Sequence, residues 1–334
     1  MNQKYLDIQI IEVPKPVFSD GVWVLVYELI LTNLGEQLIS IEFLEIQNES
    51  ISLLSIDSTE INKISFDSTH QILPAEINAL FLWIRCASVI PPSTIHHEIV
   101  VSRDTGGRTK LSKIVQVNTQ PAVKLGQPLG RGQWLVKELN NGAEYRRALN
   151  LHDDIPRFAQ RFALEWRRVD NRSHYFRGDD SRINENYYSH GGKVYAVEDG
   201  TVTKIVDGYL DNTPGEIADD TAPFAGNHLL LTMNNGDSAV YGHLLNKSIK
   251  VTEGSRVQKG EQLARVGNSG ISKTPHLYFH VVKLHDPNYA DGFNGIGRPF
   301  TINYFWTENC AGEKFKVVDA MPSEGSLIRF LYVG

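Results

Sequence analysis

Short β-branched and aromatic runs, each closed by a turn residue, constrain the fold of this chain more than any other feature. Val22–Thr32 (VWVLVYELILT) ends at Asn33, Gly35 and Glu36, and similar runs follow at Ile39–Leu44, Leu80–Ile84, His97–Val101 and Ile114–Val117. None of these shows a helical period, and Asp104–Arg108 (DTGGR) has the composition of a hairpin turn. Residues 1–118 are therefore expected to form an immunoglobulin-like β-sandwich, in a chain that is mainly β.

At 334 residues the chain is long enough for two domains. Pro121, Gly126, Pro128, Gly130 and Gly132 mark residues 119–133 as a linker. The second domain then spans 134–334. Within it, Val194–Val206 reads as a hairpin turning at Asp199-Gly200. Gly254 and Gly260 fall between apolar positions, where positive φ would turn the corners of a small curled sheet. Gly267-Asn268-Ser269-Gly270 makes the turn before the strand that carries His276. Two insertions, Asn184–Gly192 and Asp207–Asn227, are turn-rich and are expected as solvated loops flanking a groove. The second carries Asp207, Asp211, Glu216, Asp219 and Asp220 but lacks a twelve-residue calcium pattern.

The net charge of −6, with no basic block, argues against nucleic acid as a partner. No run reaches the roughly 18 apolar residues of a membrane span; Ala79–Ile84 is stopped by Arg85. The N-terminus has no signal-peptide pattern, so localisation stays open. Cys86 and Cys310 make neither a disulfide framework nor a metal cluster, and Cys86 is expected in a core. His96 and His97 are adjacent on a strand and point to opposite faces, so they cannot grip one ion.

One ordered set of motifs is more specific. It runs through Tyr195-Ala196, Asp199-Gly200-Thr201-Val202, Gly226-Asn227-His228, Tyr241-Gly242-His243-Leu244, Val251…Gly254…Val257…Gly260, Gly267–Gly270 and Pro275-His276-Leu277. Over about residues 158–285 this set resembles the lysostaphin/LytM-like zinc metallopeptidases, whose fold is the duplicated hybrid motif. The resemblance implies a lysostaphin-type curled β-sheet and an ancestral activity on peptide bonds of cell-wall peptidoglycan. In that family a zinc ion takes three protein ligands and leaves one position for water. Two come from a His-x-x-x-Asp stretch and one from the second histidine of a His-x-His strand.

Carried onto this chain, the proton-handling histidines fall on His243 and His276. The third ligand falls on Tyr278, and the His-x-x-x-Asp stretch on Arg161–Glu165. Arginine has no lone pair to donate. A phenol, with an ordinary pKa near 10, ligates zinc at neutral pH only at heavy cost. Glu165 alone remains a good metal ligand. His276 and His280 share a strand face but stand about 13 Å apart, too far to share one ion. His228 and His280 are further candidates for the groove; His152, His174 and His190 lie in or near loops.

Three readings follow from these residues. The first is a pseudo-peptidase that keeps a groove for peptidoglycan peptide or a cell-wall hydrolase partner, a regulatory role the resemblance implies for members with eroded sites. The second is an active zinc endopeptidase in which Glu165 and an unidentified histidine hold zinc. The third is a lipoyl- or biotinyl-type carrier; its exposed turn, Met233–Asp237, lacks the lysine such a carrier needs.

Overall fold

The computed structural model describes residues 5–88, 90–138, 150–152, 155–217, 221–285, 292–309 and 311–331. Cys310, Asp219 and Asp220 lie outside the described residues, as does the side chain of His152. The chain is mainly β and divides into two compact units, with the change at Ala122/Val123.

The N-terminal unit has two antiparallel sheets. In one, Val22–Asn33 pairs with Leu6–Gln9, Val17–Ser19 and Ile77–Cys86. In the other, Ile51–Asp57, Ile39–Asn48, Thr94–Arg103 and Arg108–Gln116 lie in that order, with Gln71–Ile72 added to Ile39–Asn48. The period of two along each strand sends one set of side chains inward. Leu25, Tyr27, Leu29 and Leu31 from the first sheet meet Ile39, Ile41, Leu44 and Ile46 from the second in one core. A register shift between Ile41 and Phe43 keeps Leu44 and Ile46 facing inward. Each such side chain contributes roughly 1.5–3 kcal/mol by leaving water.

Gly106 and Gly107 take φ of +89° and +91°, as the turn between Arg103 and Arg108 demands. His97 is fully buried and binds across the core. Its Nδ1 donates to the Lys113 carbonyl at 3.0 Å, so its Nε2 accepts from the Tyr27 hydroxyl at 2.7 Å. Cys86 is a free, buried core thiol, pushed up to about 11 by that burial.

The C-terminal unit is built on one long sheet. Its central strands run Gly132–Glu138, Leu164–Val169, Leu277–Leu284, Ser238–Gly242, His228–Met233 and Gly200–Val206, each antiparallel to the next. Further strands follow on both sides, including Phe300–Glu308 and Leu327–Phe330.

Two expectations are corrected here. The 119–133 stretch is not free chain. Val123–Leu125 pairs in parallel with Phe300–Ile302, and Gly132 opens a central strand. Its glycines and prolines separate short strands. Val194–Val206 is not a hairpin either: Lys193–Tyr195 pairs with Gln262–Arg265, whereas Gly200–Val206 pairs with His228–Met233 and Arg256–Val257. Gly200 is needed for close approach, since a Cβ there would come within 2.5 Å of the Thr232 carbonyl oxygen. Gly254 and Gly260, with φ of +84° and +83°, do turn corners, and their amides bind the Val202 and Ala196 carbonyls.

Candidate functional site

Sheet register brings the site together. Lys137 stands opposite Glu165, Glu165 opposite Tyr278, and Tyr278 opposite Gly242. Directly paired residues share a face, so this row places Glu165 and Tyr278 beside the strand end that leads into His243. Gly242 leaves room there: a Cβ on it would press on Ala225 and on the Tyr278 ring at 3.1 and 3.2 Å. His243 follows with φ +56°, a left-handed conformation that a histidine tolerates at some cost, and its amide donates to the Ala225 carbonyl.

The rings of His243 and His276 lie 4.7 Å apart, centroid to centroid, and His243 and Tyr278 lie 5.8 Å apart. His243 Nδ1 donates to the Ser269 carbonyl at 2.8 Å, and His276 Nδ1 to the Thr274 carbonyl at 2.7 Å. These bonds fix both tautomers and leave each Nε2 as a lone pair. His276 Nε2 stands 3.5 Å from Glu165 Oε1, while Glu165 Oε2 accepts from Arg167 Nη2 at 2.6 Å.

Burial sets the electrostatics. Burial alone pushes the Glu165 carboxyl up, but His276 and Arg167 outweigh it and hold the group down at about 2. Burial also pushes His276 below the usual histidine range, against the pull of Glu165. At neutral pH the lasting positive charge beside Glu165 is therefore that of Arg167. His243 is pushed down to about 3 and His280 to about 4, in both cases first by burial.

The expected open groove is absent at these residues. Glu165, His243, His276 and Tyr278 are 8%, 1%, 3% and 0% exposed. Phe224 packs against two of them, with its ring centroid 5.9 Å from His243 and 5.4 Å from Tyr278. Phe293 meets Phe224 edge to face and reaches Tyr278 and His280. His228 and His280 are equally buried, with a ring nitrogen of each bonded to backbone: His228 Nδ1 to Gly226 and His280 Nε2 to Gly292.

The insertions are likewise not simply solvated loops. Asn212 and Asn227 are buried and stitch the second insertion to the 267–272 turn and to Leu244. Asn268 joins the first insertion through Asn184, and Ser272 donates to Asn268 beside His276. His190 pairs with Asp211 at 2.8 Å and His174 with Asp170 at 3.1 Å.

Arg161 lies in the 3-10 turn Ala159–Phe162, buried, with its guanidinium 5.8 Å from the Phe158 ring centroid and its Cβ against Gly297. Its neighbour Gln160 reaches Tyr278 instead, donating from Nε2 to the hydroxyl at 2.9 Å. Gln160, Arg167, Phe224 and Phe293 were not singled out from the sequence. Gln160 and Arg167 flank the Arg161–Glu165 stretch, which is the signal that could have found them. Phe224 and Phe293 sit in loops without a motif.

A catalytic zinc needs three lone-pair donors around one point. Here one oxygen of the carboxylate is committed to a guanidinium, the phenol oxygen accepts from an amide, and arginine has nothing to give. Among the described residues no group of three or more His, Cys, Asp or Glu is arranged to hold a metal ion. These residues do not fit the family's zinc. Nor, among the described residues, is any helix long and apolar enough to cross a membrane.

Residues 186–290 match the family model described as Peptidase family M23. An uncharacterized metalloprotease of Haemophilus influenzae is 36% identical over 95 residues, covering 28% of this chain and 17% of that protein. The peptidoglycan DD-endopeptidase ShyA of Vibrio cholerae is 26% identical over 191 residues, covering 55% of this chain and 39% of that protein. The chain thus spans well under half the length of either relative. Among solved structures, a zinc-containing peptidase from Vibrio cholerae aligns at 15% identity and TM-score 0.26, over 83% of this chain and 81% of that one. The catalytic domain of lysostaphin from Staphylococcus simulans aligns at 18% identity and TM-score 0.25, over 50% and 85%. The chain carries a domain of peptidase family M23 within residues 186–290.

Proposed function

We propose that this protein is a pseudo-peptidase of family M23 that binds peptidoglycan peptide, or a cell-wall hydrolase acting on it, without cutting. The observation that carries this reading is the bond between Gln160 and Tyr278, the residue onto which the resemblance carries the third zinc ligand. A phenol that accepts from a buried amide is a packing element, and Phe224 meets its ring edge to face. Peptide hydrolysis at neutral pH then lacks its electrophile and its activated water. His243 and His276 are held by their bonds to backbone carbonyls, and with pKa values pushed down by burial they serve as neutral hydrogen-bonding groups.

The name of the relative ShyA supports peptidoglycan as the recognised material. Co-sedimentation of the full chain with purified sacculi, followed by analysis of released muropeptides, tests the reading. Retention on sacculi, unaffected by a chelator and without released fragments, is expected. Fragment release abolished by a chelator would replace it with the active-enzyme reading, in which Glu165 and a histidine hold zinc.

A further inference from the structure

Beside the buried cluster, the chain from Tyr175 to Tyr188 folds back on itself. The Tyr188 amide donates to the Tyr175 carbonyl, and Phe176 bridges to Tyr187. The rings of Phe176 and Tyr187 pack 5.4 Å apart. This hairpin, with Thr274 and Pro275, encloses a cleft of about 110 Å³ that Arg167 also lines. That space equals the liquid volume of roughly three or four water molecules. It admits a carboxylate with a methyl-sized neighbour.

The lining sets the chemistry. Tyr175, Phe176, Tyr187 and Pro275 give apolar walls. Arg167 is the charged group among them, with its side chain 22% exposed. Its guanidinium has five N–H donors in a planar fork. One Nη2 hydrogen binds Glu165 and one Nη1 hydrogen binds the Thr274 hydroxyl at 2.8 Å, which leaves a second N–H on each of these nitrogens; Nε is buried without an acceptor and is closed off from the cleft. An arginine with unmet donors beside apolar walls favours an oxygen anion attached to a small apolar body. Glu165 does not line the cleft, so a bound anion would meet the guanidinium more closely than the carboxylate.

We propose that this cleft is a subsite for the terminal carboxylate of a short peptide ending in a small residue such as alanine. The inference rests on the reading that the protein binds cell-wall peptide. It adds that recognition is by the chain end, at a cleft joined to the cluster through the Arg167–Glu165 bond.

The test is calorimetric titration of the full chain with N-acetyl-Lys-D-Ala-D-Ala, with the same peptide as its C-terminal amide, and with acetate alone. The acid is expected to bind at least tenfold more tightly than the amide, with acetate far weaker than either. Arg167→Gln should erase the difference between acid and amide. Tyr175→Ala, on the half-buried wall, should weaken the acid severalfold and keeps the test informative if Arg167→Gln does not fold. Equal affinity for acid and amide, binding of acetate as strong as that of the peptide, or no binding of either peptide would each overturn the subsite. Chelator-sensitive cleavage of the peptide with the acid preference intact would remove the non-catalytic reading and leave the subsite standing.

Discussion

Gln160 donates a 2.9 Å hydrogen bond to the hydroxyl of Tyr278 in an interior that excludes water from both side chains. The ring is tied through its hydroxyl and meets Phe224 edge to face inside the C-terminal unit. Tyr278→Phe keeps the ring but strips Gln160 of this acceptor. The loss of stability should be about 1–3 kcal/mol, the range for stranding a buried donor. Urea denaturation of the two proteins measures it, and no change in midpoint would mean that the bond is not stabilising.

The site should be recoverable. Installing Arg161→His, Glu165→Asp and Tyr278→His together puts three zinc donors at the positions onto which the resemblance carries the family's ligands. Zinc content of the triple variant should rise to near one ion per chain. If it stays at background in a folded protein, the assignment of Arg161 as a ligand position is wrong.

Two loops meet with no space between them where His243 is held. Gly226 and Gly270 take φ of +56° and +75°, and a Cβ on Gly270 would lie 2.3 Å from the Gly226 nitrogen. Ser269, which accepts from His243, sits between the two contacts. Gly270→Ala should cost about 2–4 kcal/mol from backbone strain and overlap together. Its thermal midpoint should fall by several degrees, and an unchanged midpoint would contradict the packing described.

The N-terminal unit should weaken in mild acid. Burial, opposed by the bond to the Lys113 carbonyl, holds His97 down at about 4, against about 6.5 when unfolded. The unfolded chain therefore takes up its proton first as pH falls. The contribution of His97 is complete above about pH 6.5 and is lost between there and about pH 4. The loss amounts to about 3 kcal/mol. Urea midpoints measured from pH 7.5 to 4 should fall more steeply for the native protein than for His97→Gln.

Much of this architecture could be read from the residues alone. The β-branched and aromatic runs in Val22–Asn33 and Ile39–Asn48, each closed by turn residues, are a local property, and they point to a sheet core. The nearness of His243 and His276, whose rings lie 4.7 Å apart, was an expectation from the family resemblance and not from the residues themselves. The Asp199-Gly200 turn was misread because a glycine required for close approach looks the same in sequence as one required for positive φ. The closed state of the site was not legible either. Phe224 and Phe293 lie in loops, and which loop aromatic folds over a site depends on contacts far apart in the chain. Nor did the acidic insertion look like a buried element, since Asn212 and Asn227 are polar and become interior only by satisfying carbonyls of another turn.

Zinc stoichiometry of the full-length protein, purified without added metal and measured by mass spectrometry, bears most directly on whether this centre has lost its chemistry. The arrangement of Arg161, Glu165 and Tyr278 predicts well under a tenth of an ion per chain, unchanged by dialysis against a chelator. About one tightly held ion per chain, whose removal abolished cleavage of peptidoglycan peptides, would contradict it.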